Sequence, residues 1–258
     1  MDDLLYDLTD EIGTITFNRP DSRNALTFEM YAELARICRE VPADGSVKAI
    51  IIRGAGDRAF AAGTDMTQFR EFSTDQDALD YEARMDQVLG DVERCPIPTI
   101  AAITGACTGG GAAIAAACDL RICDERLKFG FPIARTLGNC LSIGNLSRLS
   151  ALVGYGRLRE ILFTARLIQA DEAERIGLIA EVLPDASAVH GRAAELAALM
   201  TSHAPLTLRA TKEALRRLRN DGPRAEDADL VTLCYMSADF KEGMEAFLSK
   251  RPPIWQGH

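Results

Sequence analysis

Residues 12–17 (IGTITF) are rich in β-branched side chains and run into Asn18-Arg19-Pro20, which predicts a strand ending in a turn. Between 27 and 40 the period changes. Phe28, Met30, Tyr31, Leu34 and Ile37 recur near helical spacing, with Thr27 placed to cap the first turn. A second strand is predicted at 47–52 (VKAIII), closed by Arg53-Gly54-Ala55-Gly56. A polar, mostly helical stretch over 75–93 follows, until Cys95-Pro96-Ile97-Pro98 breaks it. Residues 99–104 (TIAAIT) read as a buried strand that runs into Gly105 and Gly109-Gly110-Gly111, then an alanine-rich helix over 112–117. Short strands are predicted at 119–123, 127–129 and 178–183, and helices at 186–200, 206–219 and 239–250. Strands separated by helices in the first 130 residues imply an α/β fold of stacked ββα-like units. The helical last third implies an added layer.

Composition narrows the partners. The 258 residues are 47% hydrophobic and 26% charged, ordinary for a globular chain long enough to bury a sizeable core. A net charge of −9 disfavours nucleic acid and anionic membranes as partners. An anionic ligand would need local cations and helix N-termini. Seven cysteines without a C-x-x-C pair read as free thiols in a reducing compartment, and the acidic N-terminus lacks a basic leader region. No apolar run reaches the roughly 18 residues of a membrane span, so a cytoplasmic protein is expected.

Two glycine-bearing segments carry the candidate chemistry, 53–66 (RGAGDRAFAAGTDM) and 103–113 (ITGACTGGGAA). Each puts small residues in a turn after a strand, where backbone N–H groups can approach a ligand closely. The second also opens a helix, whose first N–H groups are unsatisfied and favour negative charge. Two such donors aimed at one point would form an oxyanion hole; taken singly, each segment reads equally well as an ordinary strand-to-helix turn. The chain has no G-x-G-x-x-G turn at Gly105–Gly111, no P-loop and no G-x-S-x-G elbow. His190, His203 and His258 lack partners at ligand spacing, which speaks against a metal site or a Ser-His-Asp triad.

In order and spacing, four blocks resemble the crotonase (enoyl-CoA hydratase/isomerase) superfamily: Asn18-Arg19-Pro20 with Asn24-Ala25-Leu26; Phe60 to Asp65; Gly105 with Gly109-Gly110-Gly111 and Cys118-Asp119-Leu120-Arg121; and 237–248 (SADFKEGMEAFL). The resemblance implies a spiral of ββα units over 1–195 and a helical region over 196–258 that packs into homotrimers or hexamers. It implies an acyl-CoA or enoyl-CoA substrate, no permanently bound cofactor and no metal. The oxyanion hole falls on the backbone N–H groups of Thr64 and Gly110. CoA would run past Arg23, Ala25, Ala61, Ala62, Asp65 and Met66. Lys241 would reach a neighbouring subunit's CoA phosphate, although it also reads as a solvated helix charge. Asp65 and Asp119 themselves look like turn and cap residues.

The pattern departs at the catalytic carboxylates. Hydratases of the family carry two glutamates, and the matching positions here are Ala113 and Ile133, or Ala134 if the register slips by one residue, all of them apolar. None of them can move a proton, a function that contributes typically ~10²–10⁴-fold per group. Polar residues close by in sequence are Arg135, Asn139, Cys140 and Ser142, and Tyr81, Glu82 and Asp86 on the helix expected to overlie the pocket; each reads also as a loop or surface residue. Three functions stay open: a hydratase- or isomerase-type enzyme with unconventional proton handling; a C–C hydrolase, decarboxylase or thioester hydrolase on the same scaffold; and a non-catalytic acyl-CoA-binding protein.

Overall fold

The computed structural model describes residues 2–70 and 72–258. The chain runs β1 (Leu4–Thr9), β2 (Ile12–Phe17), α1 (Phe28–Glu40), β3 (Ala49–Gly54), β4 (Ala59–Ala62), α2 (Asp75–Arg94), β5 (Thr99–Ile103), β6 (Ala106–Thr108) and α3 (Gly110–Ala117). It continues through β7 (Leu120–Asp124), β8 (Lys128–Gly130), α4 (Ile133–Thr136), α5 (Ile143–Thr164), α6 (Ala170–Arg175) and β9 (Glu181–Leu183). The helices α7 (Ala186–Thr201), α8 (Pro205–Asp221), α9 (Ala228–Tyr235) and α10 (Ala238–Leu248) complete it.

Successive strand pairs divide between two sheets. One has the order β1-β2-β3-β5-β7-β9 and the other β4-β6-β8. Among the strand pairs of the described residues, β1 and β2 are antiparallel and the others parallel. Thus β3-β4-α2 and β5-β6-α3 are two turns of one ββα spiral, with β7-β8 opening the next. This is the α/β architecture expected from the strand and helix pattern.

The period of two along the larger sheet separates two apolar layers. Ala49, Ile51, Ile100, Ala102 and Ile122 face α7, where they meet Val189, Ala193 and Ala197. Ile50, Ile52, Ala101 and Ile103 face the opposite way, into the main core with α1, α2 and α3. The expected boundary after residue 195 falls inside α7, whose Ala197 belongs to the sheet-facing layer.

The departures from the predicted elements have physical reasons. β1 was not predicted because it is an edge strand whose residues are mostly exposed, so the hydrophobic pattern is weak there. β4 and β6 are four and three residues long and alanine-rich, with little strand propensity of their own. α3 begins at Gly110 rather than 112, because the glycine run supplies its first turn. Leu178 and Ile179 are buried as expected, but the strand starts only at Glu181.

Candidate active site

The two glycine-bearing turns meet across one cavity of about 250 Å³. The first follows β4. The Leu26 N–H donates to the Gly63 carbonyl at 2.9 Å, and the Asp65 N–H donates to the Leu26 carbonyl at 2.8 Å. Successive N–H groups of extended backbone point to opposite sides. The Thr64 N–H therefore faces away from Leu26, and it has no hydrogen-bond partner among the described residues. Gly63 makes the turn possible with φ +87°.

The second turn opens α3. Gly109 has φ +52°, and a side chain there would come within 3.4 Å of the Gly63 backbone. Gly110 is the first residue of α3, so its N–H has no intrahelical acceptor. A Cβ on Gly110 would collide with the Tyr31 hydroxyl and lie 3.2 Å from Thr64 Oγ1. Only glycine fits without displacing that hydroxyl.

Three hydroxyls join the turns. Tyr31 Oη lies 2.8 Å from Thr64 Oγ1, which in turn lies 3.3 Å from Tyr81 Oη. Burial raises the Tyr31 phenol well above its usual range, the Tyr81 phenol adding to the effect, so Tyr31 stays a neutral O–H. Tyr81 is likewise raised by burial. It also belongs to an aromatic cluster with Phe28, Phe69 and Phe72.

α2 forms the roof. A capping box between Thr74 and Asp77 fixes its start. Tyr81, Glu82, Met85 and Leu89 then present one face to the cavity. Glu82 is the single carboxylate among the described lining residues. Its pKa is raised, first by burial and then by the charge of Asp86 one turn on. Asp86 is engaged elsewhere: it accepts a 2.7 Å hydrogen bond from Ser142 Oγ, the N-cap of α5, and lies 3.5 Å from Arg148.

Of the residues singled out from sequence, Thr64, Gly110, Tyr81, Glu82, Asn139 and Cys140 line the cavity together, as do Ala113 and Ile133. Arg135, Ser142 and Asp86 do not. Of the expected CoA path, Ala62 and Met66 line the cavity, whereas Ala61 is fully buried beneath it. Arg23 is exposed, and its carbonyl accepts from the Ala62 N–H; the Ala25 carbonyl accepts from Arg19. The Asp65 carboxylate is held low by hydrogen bonds from Thr67 and then Arg19, a turn-and-cap role. Lys241 is an exposed residue of α10 that does not line its own chain's cavity. None of the three histidines lines it either.

Tyr31 and Asn145 are among the cavity residues that carried no functional signal in the sequence. Tyr31 falls at core spacing on α1, and nothing about Asn145 marks it out. Both are buried, and each brings a polar group to the cavity.

The sequence model of the enoyl-CoA hydratase/isomerase family matches residues 7–258. The short-chain-enoyl-CoA hydratase of Clostridium acetobutylicum is 34% identical over 259 residues, spanning 97% of this chain and 96% of that protein. The crotonyl-CoA hydratase of Syntrophomonas wolfei is also 34% identical, with the same coverage. An enoyl-CoA hydratase/carnithine racemase structure from Magnetospirillum magneticum matches with a TM-score of 0.91 at 34% identity. That match covers 100% of this chain and 97% of that one.

Proposed function

This chain belongs to the enoyl-CoA hydratase/isomerase family of the crotonase superfamily, and from that membership we propose that it is an enzyme that moves a proton on a CoA thioester, with Glu82 as the carrier. The observation that carries the reading is a cavity with two unengaged backbone donors, at Thr64 and Gly110, and a single described carboxylate. CoA, as part of the substrate, would enter past Arg23, Ala25, Ala62 and Met66.

Removing the α-proton of a 3-enoyl thioester places negative charge on the thioester oxygen. Two N–H donors aimed at that oxygen stabilise the enolate by about 2.7–4 kcal/mol each. Ionised Glu82 takes the α-proton and returns it at the γ-carbon as the double bond shifts from 3,4 to 2,3. No water enters and the atoms balance. Burial suits Glu82 to this exchange by raising its proton affinity toward working pH. Hydration needs an activated water as well, and the positions that would supply a second carboxylate hold Ala113 and Ile133. The site therefore favours double-bond isomerisation over hydration.

The test compares isomerisation of trans-3-hexenoyl-CoA with hydration of crotonyl-CoA. We expect isomerisation to be the faster by at least ~10²-fold, and Glu82→Gln to lower it by ~10²–10⁴-fold with acyl-CoA affinity retained. The base must be ionised, so kcat/KM should rise with pH through a midpoint above the ordinary glutamate range. Hydration at a comparable rate, or an active Glu82→Gln variant, would overturn the assignment. Tight acyl-CoA binding with no turnover of either substrate would identify a non-catalytic binding protein.

A further inference from the structure

Tyr31, Thr64 and Tyr81 meet at the cavity, and each hydroxyl has one proton to place. Tyr31 is only 2% exposed, and Thr64 Oγ1, at 2.8 Å, is the one partner of its hydroxyl among the described residues. A buried O–H without an acceptor is costly, so the Tyr31 proton goes to Thr64 Oγ1. The Thr64 proton must then point elsewhere, and Tyr81 Oη at 3.3 Å is the other oxygen bonded to that hydroxyl. The Tyr81 proton is left without an acceptor among the described residues. Tyr81 can leave it so, because it is part-exposed and lines the cavity. Each bond in such a chain polarises the next, which makes the last O–H a stronger donor than an isolated phenol. Edge contacts with Phe69 and Phe72, at centroid distances of 4.8 and 6.0 Å, hold the ring in place before substrate arrives.

Thr64 joins this chain to the candidate backbone donors. Its own N–H is one of them, and its Oγ1 stands 3.2 Å from where a Cβ of Gly110 would lie. We propose that Tyr81 is a catalytic residue whose hydroxyl donates a third hydrogen bond to the thioester oxygen, with Tyr31 a positioning residue that acts through Thr64. Burial keeps the Tyr81 phenol protonated, as a donor must be. The inference rests on the CoA-thioester reading above and adds a side-chain donor where charge develops. Glu82 still carries the proton between carbons, and Tyr81 keeps its own. The oxygen is more negative in the enolate than in the thioester, so the bond strengthens toward the transition state and its loss falls on kcat rather than on affinity.

Tyr81→Phe keeps the ring in its cluster and removes only the hydroxyl. With trans-3-hexenoyl-CoA it should lower kcat by ~10–10²-fold, with acyl-CoA affinity and the pH midpoint assigned to Glu82 retained. A second readout needs no turnover. Hydrogen bonds to the carbonyl oxygen of 2,4-hexadienoyl-CoA draw electron density along the diene and move its ultraviolet absorbance to longer wavelength. Bound at saturation, it should be red-shifted by the unsubstituted protein and by Glu82→Gln, and less so by Tyr81→Phe. Tyr31→Phe frees Thr64 Oγ1 to accept from Tyr81, so it should reduce kcat and the shift, yet add little in the Tyr81→Phe background. An unchanged shift in Tyr81→Phe overturns the proposal, as does an unchanged kcat. Additive losses in the double variant overturn the part given to Tyr31. If 3-hexenoyl-CoA is not turned over, the isomerase reading falls and the shift alone decides for or against Tyr81. Failure of hexadienoyl-CoA to bind would overturn the CoA-thioester reading and the third donor with it.

Discussion

At the residue scale the tightest constraint is between Tyr31 and Gly110. The Tyr31 hydroxyl touches the α-carbon side of one candidate donor residue and hydrogen bonds the side chain of the other, Thr64. It thereby spaces the two donors. Gly110→Ala would push a methyl into that hydroxyl, and we expect kcat/KM to fall at least tenfold through displacement of the Thr64 contact. Tyr31→Phe removes the colliding oxygen while keeping the ring in the core. The double variant should then be more active than Gly110→Ala alone, a coupling that steady-state kinetics on all four proteins would read. Simple additivity would mean that Tyr31 only fills space. The sequence pattern places Tyr31 beside Met30 and Leu34 as core, and it is buried. Periodicity reports which face of a helix is buried but not what the polar tip of a tyrosine meets.

At the scale of elements, legibility followed length and propensity. The β-branched runs of β2, β3 and β5 and the periodic helices α1, α2, α7 and α8 were readable within a few residues. β4 and β6, which deliver the two glycine turns, are short alanine-rich strands whose pairing is set by tertiary contact; the turns they feed were visible, the strands were not. Asp119 shows the converse, a polar residue whose role is structural. It accepts from the Thr99 N–H and hydroxyl and from Lys212 at 2.7 Å, tying α8 to the start of β5. Lys212 is almost wholly buried. Burial, the largest single effect, would lower its pKa, but the charge and hydrogen bond of Asp119 together with Cys95 and Cys118 outweigh it, and the net shift is upward. Asp119→Ala would strand that ammonium and break the Thr99 contacts, so we expect a loss of about 2–4 kcal/mol, discounted because Asp119 is partly exposed. Urea unfolding would measure it. Turnover well below the unfolding transition should be unaffected, since Asp119 does not line the cavity.

At the scale of the whole molecule, α5 and α10 are among the elements that leave large apolar side chains uncovered. Ile143, Tyr155 and Phe163 of α5 are 82%, 72% and 83% exposed, and Phe247 and Leu248 of α10 are 84% and 75% exposed. Patches of this kind on a chain with a full core mark association surfaces. Together with the family's habit of packing through its C-terminal helices, they lead us to expect a trimer or a dimer of trimers. Light scattering at micromolar concentration should then give about 84 kDa or its double for a 28.1 kDa chain, and a monomer mass would refute the expectation. Lys241 bears on the same question, because it is exposed on α10 yet absent from its own chain's cavity. If it meets a CoA phosphate, it does so on a neighbour. An exposed charge contact contributes about 0.3–1 kcal/mol, so Lys241→Ala should weaken acyl-CoA binding up to several-fold, and more at low salt. The loss should appear only under conditions where the oligomer persists. Mixed oligomers supply the sharper measurement. Subunits carrying Lys241→Ala, combined with subunits unable to turn over because of Glu82→Gln, should regain tight binding at those Lys241→Ala cavities that face an intact lysine. Affinity that is unchanged across salt in the single variant would leave Lys241 as a solvated helix charge.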